Sequence, residues 1–226
     1  MTDRRTLFAA LVSIAPAAFG ADVQLRAAVA SDYVFRGIVQ SDDGPAYQAL
    51  AEIEGERGVY AGVWASRVEY PFDDRTREVD WFAGWQRRLT DAVALDASVV
   101  HYTYDADFAG ADTDWTELQL AAHLAERWSF LIAAADGWLA TDDRSYVAEA
   151  TYRHPLPARI VLDATYGEQF AAAVIDQRYG YVELGLSREF GAIGLRFSVA
   201  DTFGVALPEP LDDTTYTVSV EWAILR

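Results

Sequence analysis

Apolar residues recur along this chain at every second position, in run after run. Val23, Leu25, Ala27 and Val29 alternate with Gln24, Arg26, Ala28 and Ala30, and the same rhythm returns over 47–53, 79–85, 118–124, 182–186 and 218–224. A side-chain period of two places one set of residues on each face of a β-strand. The pattern predicts strands at 22–36, 45–54, 58–68, 77–87, 92–104, 114–124, 128–135, 145–153, 158–166, 178–189, 192–201 and 214–225. That is about twelve strands, with about ten to fourteen compatible with the uncertainty of boundaries read from sequence.

The connections sort by length. "GIVQSDDG", "EYPFDDRTR", "DADFAGADT", "DGWLATDDR", "GEQFAAAVIDQ" and "TFGVALPEPLDD" alternate with "EGERG", "RLTD", "AER", "HPLP" and "FGA". Strands joined this way form an up-and-down antiparallel sheet with every tight turn at one end. Transmembrane barrels have that asymmetry, with short periplasmic turns and longer outer loops; a soluble sandwich has no reason to sort its loops. Charge sorts in the same sense. Asp42, Asp43, Asp73, Asp74, Asp142, Asp143, Asp212 and Asp213 fall in the longer connections, and Arg57, Arg87, Arg88, Arg127, Arg153 and Arg159 fall at the short-turn end.

In lipid every backbone amide needs a partner, so a sheet can span only as a closed barrel. One parity then faces lipid and the other a lumen. The charged residues of the predicted strands lie mostly on the less apolar parity: Arg26, Asp32, Arg36, Glu52, Glu54, Glu78, Asp80, Asp96, Glu117, Glu149, Asp163, Glu183, Arg196 and Glu221. These are the candidate lumen residues. Trp81, Trp85, Tyr146, Tyr152, Tyr166, Tyr216 and Trp222 share the opposite parity, as aromatic girdles do.

Composition narrows the compartment. The 226 residues carry a formal net charge of -17 and no cysteine. Such a charge opposes nucleic-acid binding, and the lack of cysteine excludes a disulfide scaffold or a thiolate metal site. Residues 1–20 have the layout of a secretory signal peptide: Arg4 and Arg5, an apolar run, then Ala18-Phe19-Gly20 before a cleavage point at Ala21. No later apolar run reaches the length of about eighteen residues that a membrane helix needs. The expected domain structure is a cleaved signal over 1–20 and one barrel over 21–226.

"SDYVFRGIVQSDDGPAYQ" at 31–48, followed by "GVYAGVWASRV" at 58–68, resembles the opening of the TorF-type porin family, exported proteobacterial proteins of similar length. The resemblance implies an outer-membrane barrel that acts as a channel, and it names no solute. In this reading Tyr33 and Phe35 face lipid, Asp32 and Arg36 point into the lumen, and "SDDGP" is a turn exposed outside.

Catalysis finds little support. His101, His123 and His154 are scattered, and there is no G-x-S-x-G elbow. No catalytic residue, cofactor or metal site is expected. The expected fold is all-β, an up-and-down antiparallel transmembrane β-barrel in the outer membrane of a Gram-negative bacterium. The expected function is passive diffusion of small hydrophilic solutes with a preference for cations. The alternative is a non-conducting barrel with a structural or adhesive role. Expected partners are outer-membrane lipid and lipopolysaccharide, small solutes or cations, and periplasmic chaperones and the barrel-assembly machinery during biogenesis.

Overall fold

The computed structural model describes residues 21–41, 44–70, 74–108, 110–137, 144–171, 177–204 and 214–225. Its strands are β1 (Asp22–Ala30), β2 (Val34–Phe35), β3 (Ile38–Val39), β4 (Ala46–Glu54), β5 (Val59–Arg67), β6 (Arg77–Thr90), β7 (Val93–Tyr104), β8 (Trp115–Leu124), β9 (Trp128–Ala135), β10 (Ser145–Leu156), β11 (Ile160–Ala171), β12 (Gln177–Phe190), β13 (Ile193–Phe203) and β14 (Thr215–Leu225). All but β2 and β3 form one closed antiparallel barrel of twelve strands, in the order β1-β14-β13-β12-β11-β10-β9-β8-β7-β6-β5-β4. Each wall strand pairs with its neighbours along the chain, and β1 closes the ring on β14, from Leu25 against Leu225 to Ala30 against Ser219. That seam carries a register shift between Leu25 and Arg26.

The alternation seen in the sequence becomes two surfaces. Trp81, Leu118, Leu120, Ile132, Tyr146, Tyr166, Val182, Leu184, Phe197, Tyr216, Val218 and Trp222 project outward and are exposed. An apolar outer band of this kind is what lipid demands of a barrel wall. Directly paired residues in an antiparallel ladder share a face. The pairs Leu50–Trp64, Trp64–Asp80, Asp80–Tyr102 and Tyr102–Trp115 therefore trace one inward ring segment across five strands.

Tight connections join β4 to β5, β6 to β7, β8 to β9, β10 to β11 and β12 to β13; the longer ones lie at the other end. The end-to-end length sorting is thus present in three dimensions. Some strands run further than the sequence pattern predicts. β10 extends to Leu156, and β11 runs to Ala171 rather than stopping near 166. The ladder partners Tyr179 and Arg178 on β12 hold Gln169 and Phe170 in register, which lengthens the strand into what reads locally as loop.

The larger correction concerns the first connection. β1 ends at Ala30, not at 36. Residues 33–41 fold back as a miniature hairpin in which Val34 pairs with Val39 and Phe35 with Ile38. Its two-residue tip is Arg36 (φ 50) and Gly37 (φ 81), the left-handed pair that matches strand twist in a tight hairpin. The tip reaches the far wall: a Cβ on Gly37 would stand 2.7 Å from both Thr202 Cγ2 and Tyr181 Cβ. Tyr33 and Phe35 do not face lipid. Tyr33 packs edge-on against Trp64, and Phe35 against Tyr102, with ring centroids 5.2 and 5.9 Å apart. The physical reason is burial. The hairpin is apolar on both sides of its tip, and the barrel interior offers Tyr102, Trp115, Tyr179 and Tyr181 as cover.

The base of the hairpin is closed on itself and tied to the segment that follows β5. Tyr33 N–H donates to Ser41 Oγ at 2.8 Å, Glu69 N–H to the Gln40 carbonyl at 2.8 Å, and Tyr70 Oη–H to Gln40 Oε1 at 2.5 Å. At the same end of the barrel, Asp105 pins the start of β6. Its carboxylate accepts from Thr76 N–H at 2.8 Å, Thr76 Oγ1–H at 2.6 Å and Arg77 N–H at 3.0 Å. Burial alone pushes the Asp105 carboxyl up, but these hydrogen bonds outweigh it and leave the group below the ordinary carboxylate range. A depressed pKa stabilises above the unfolded value, about 3.9 for Asp, and that contribution is lost as pH falls through the lowered value. Amide exchange at Thr76 and Arg77 is expected to be protected at neutral pH. In an Asp105→Asn protein both protection factors should fall by several-fold at neutral pH, with the unaltered chain converging on the variant only in acid. Equal protection in the two proteins at pH 7 would contradict the pin.

Candidate functional site

The barrel interior is polar, and its charges are organised by arginines. Arg36, carried inward on the hairpin tip, donates Nη2–H to Glu117 Oε1 at 2.7 Å, Nη1–H to Glu117 Oε2 at 3.0 Å and Nη1–H to Gln169 Oε1 at 3.1 Å. Its guanidinium also lies over the Phe35 ring, 4.6 Å from the centroid. The pair is fully enclosed, with side-chain exposures of 5% for Arg36 and 0% for Glu117. Glu117 is set by β8, and Gln119 two residues on donates to its Oε1 at 2.7 Å. Next along the wall, Tyr181 Oη–H donates to Glu149 at 2.7 Å. Tyr181 lies flat over Gly167, where an added Cβ would meet its ring at 2.1 Å.

Towards the short turns a second arginine repeats the theme. Arg196 forks onto Asp163 at 2.5 and 2.7 Å and reaches Glu183 at 2.6 Å. At the barrel seam Arg26 donates to Glu221 at 2.8 Å. Asp96 accepts from Tyr60 Oη–H at 2.8 Å, and His123 Nδ1 lies 2.9 Å from Ser129 Oγ.

The strand residues singled out from sequence share this inward face. Arg26, Glu52, Glu54, Glu78, Asp80, Asp96, Glu117, Glu149, Asp163, Glu183, Arg196 and Glu221 all belong to the parity of the inward ladder pairs. Glu78 and Asp80 are buried beneath the hairpin side of the wall, and each keeps an oxygen with no hydrogen-bond partner among the described residues. Asp32 and Arg36 are not wall residues. Asp32 is half-buried in the segment after β1, and Arg36 enters the lumen from the hairpin rather than from a strand. Of the acidic loop residues, Asp74 is exposed. Asp42, Asp43, Asp73, Asp142, Asp143, Asp212 and Asp213 lie outside the described residues. At the short-turn end Arg57, Arg87, Arg127 and Arg159 are exposed.

Sequence reasoning missed Gln169, Gln119, Tyr60 and Tyr181 as partners of the charged residues. The signal for Gln169 was present, since Gly167 and Gln169 continue the inward parity while Tyr166 and Phe170 continue the apolar one. The run of alanines after it disguised the strand.

The sequence profile of a bacterial family described as "Bacterial protein of unknown function (Gcw_chp)" matches residues 14–206. The chain belongs to the Gcw_chp family. No curated protein matches it. Among solved structures, the KdgM porin superposes with a TM-score of 0.58 at 8% identity, over 88% of this chain and 98% of that one. The same porin in complex with disordered oligogalacturonate gives 0.57 at 7% identity, over 89% and 98%. The COG4313 outer membrane channel from Pseudomonas putida F1 gives 0.53 at 14% identity, over 93% and 96%. At such identities the likeness speaks for the fold: this Gcw_chp chain has the closed barrel of outer-membrane porins.

Proposed function

We propose that this Gcw_chp barrel is an outer-membrane channel for passive diffusion of small hydrophilic solutes, with the hairpin of residues 33–41 as its constriction. The observation that carries this is the inward face. Carboxylates, arginines and tyrosines line it on nearly every wall strand, from Glu54 near one turn to Glu78 near the opposite end. A barrel built only for rigidity gains more from an apolar filling, because buried ion pairs are commonly no better for stability than well-packed hydrophobic residues. Water and ions are the natural company of such a face.

The fold of the solved porins and the TorF-type resemblance over 31–68 agree with this proposal. Export by a signal peptide over 1–20, residence in a Gram-negative outer membrane, contact with lipopolysaccharide and handling by periplasmic chaperones and the assembly machinery belong to it. Inward carboxylates outnumber inward arginines, which favours cations over anions. Purified protein in planar bilayers is expected to conduct, and under a KCl gradient its reversal potential should have the sign of K⁺ preference. Chloride preference would remove the selectivity part, and no conductance under any condition would remove the channel.

One observation favours a second reading, a non-conducting barrel with a structural or surface-binding role. Glu117 and Gln169 are 0% exposed and Tyr179 is 1% exposed, so the half of the lumen that holds the hairpin is filled in this conformation. The bilayer measurement decides between the two.

A further inference from the structure

We propose that the wall facing Arg36 is a guanidinium-binding site, which the chain's own hairpin occupies in place of a guanidinium-bearing solute. The inference deepens the channel reading and rests on it for the route by which a solute arrives.

The geometry points to a guanidinium rather than to cations in general. Both oxygens of Glu117 take one N–H each, and Gln169 Oε1 takes a third, so the planar fork is read on two of its nitrogens. Arginine's rigid set of donors fits such an arrangement, whereas an ammonium is a compact point charge and K⁺ has no donors. The receptor half is independent of its occupant. Glu117 and Gln119 come from β8 and Gln169 from β11, so none of these groups belongs to the hairpin, and Gln119 gives the carboxylate a wall partner besides Arg36. Beside them Tyr102 stacks on Trp115, with centroids 3.9 Å apart and planes at 8°. Gln169 Nε2 is buried with no hydrogen-bond partner among the described residues. A solute that carries an acceptor beside its guanidinium would engage this donor, which Arg36 and bare guanidinium, themselves only donors, leave unused.

The occupant, by contrast, is removable in principle. It sits at the tip of a two-residue turn, in a left-handed conformation uncommon for a residue with a side chain. A latch alone would be served as well by an apolar tip filling the same volume. A fully enclosed carboxylate with an amide beside it is what recognition of a planar cation requires.

The test uses the full-length protein, folded in detergent and in lipid, with Arg36→Ala vacating the site. The probe is guanidinium chloride at low millimolar concentration, with ammonium chloride as the comparison. Titration calorimetry should show saturable binding of guanidinium to Arg36→Ala, at least about tenfold tighter than ammonium, as expected for the extra charge-assisted hydrogen bonds. The Arg36→Ala/Glu117→Gln protein should lose that binding. In planar bilayers guanidinium should block the Arg36→Ala current over the same concentration range. Equal action of the two cations, or binding that survives Glu117→Gln, overturns the site and leaves the channel reading standing. Selective binding with no current in any variant supports the site and overturns the channel. Should Arg36→Ala fail to assemble, guanidinium added during refolding must restore the folded, heat-modifiable form while ammonium does not; absence of that rescue overturns the site.

Discussion

An Arg36→Ala barrel in a planar bilayer is expected to carry more current than the unaltered one, with fewer and shorter closed intervals. Arg36 holds the hairpin tip through Glu117 and Gln169, and both members of its ion pair are enclosed. Removing one partner of a buried pair strands the other charge away from water, at a cost of about 3–5 kcal/mol. The hairpin escapes that cost by leaving, because Glu117 is then hydrated. A bias of that size shifts an in–out equilibrium by roughly a hundredfold or more. Glu117→Gln should act in the same direction, since it buries the arginine without its counter-charge. The double variant Arg36→Met/Glu117→Met separates charge from bulk: an apolar pair fills the same space with no buried charge and leaves only the neutral amides of Gln169 and Gln119 without those partners. It is expected to keep the hairpin seated and the current close to the unaltered level. Identical currents in all four proteins would take the hairpin out of the conduction path.

The second large effect lies on the outside. Leu184 sits near the middle of β12, is 52% exposed, and pairs with Ala164 and Val199. Leu184→Arg is expected to lower the stability of the barrel folded into lipid vesicles by about 2–4 kcal/mol, the cost of an arginine at the bilayer midplane. Glu183, one residue away, points the other way onto Arg196, which keeps both of its bonds to Asp163 when Glu183 is changed. Glu183→Gln should therefore cost less than Leu184→Arg in the same denaturant titration. Equal losses at the two neighbours would mean that the wall does not separate lipid from lumen at this height.

That one-residue contrast is also why so much of the barrel was legible beforehand. Lipid on one side and polar groups on the other enforce a two-residue rhythm on each wall strand, so parity alone assigned Glu117, Asp163, Glu183 and Arg196 to a common face. Loop lengths carried the topology for the same reason, since tight turns collect at one end of an up-and-down sheet. The hairpin was not legible in this way. Its apolar positions continue the alternation of β1, and its destination depends on residues far along the chain: Arg36 meets partners 81 and 133 residues away. Two local signs did point to it. Val34-Phe35 and Ile38-Val39 flank an Arg-Gly pair, the layout of a two-residue turn with left-handed backbone. A strand over 22–36 also exceeds the roughly nine to eleven residues a tilted span requires. Gln169 was lost to a different cause: the alanine run that follows it reads as loop, and the strand character of residues 167–171 comes from ladder partners on β12 rather than from their own propensity.

The join between β1 and β14 has a bearing on how such a wall comes into being. Arg26 and Glu221, which meet across it, are separated by 195 positions. Loop-closure entropy must be met before so distant a contact returns anything. Until β14 is in place, β1 and β13 each present a row of unpaired amides, the surface on which strands from separate chains add to one another. Nascent copies are therefore most vulnerable to aggregation just before completion, and an escort that covers a bare strand edge protects them better than one that shields only greasy side chains.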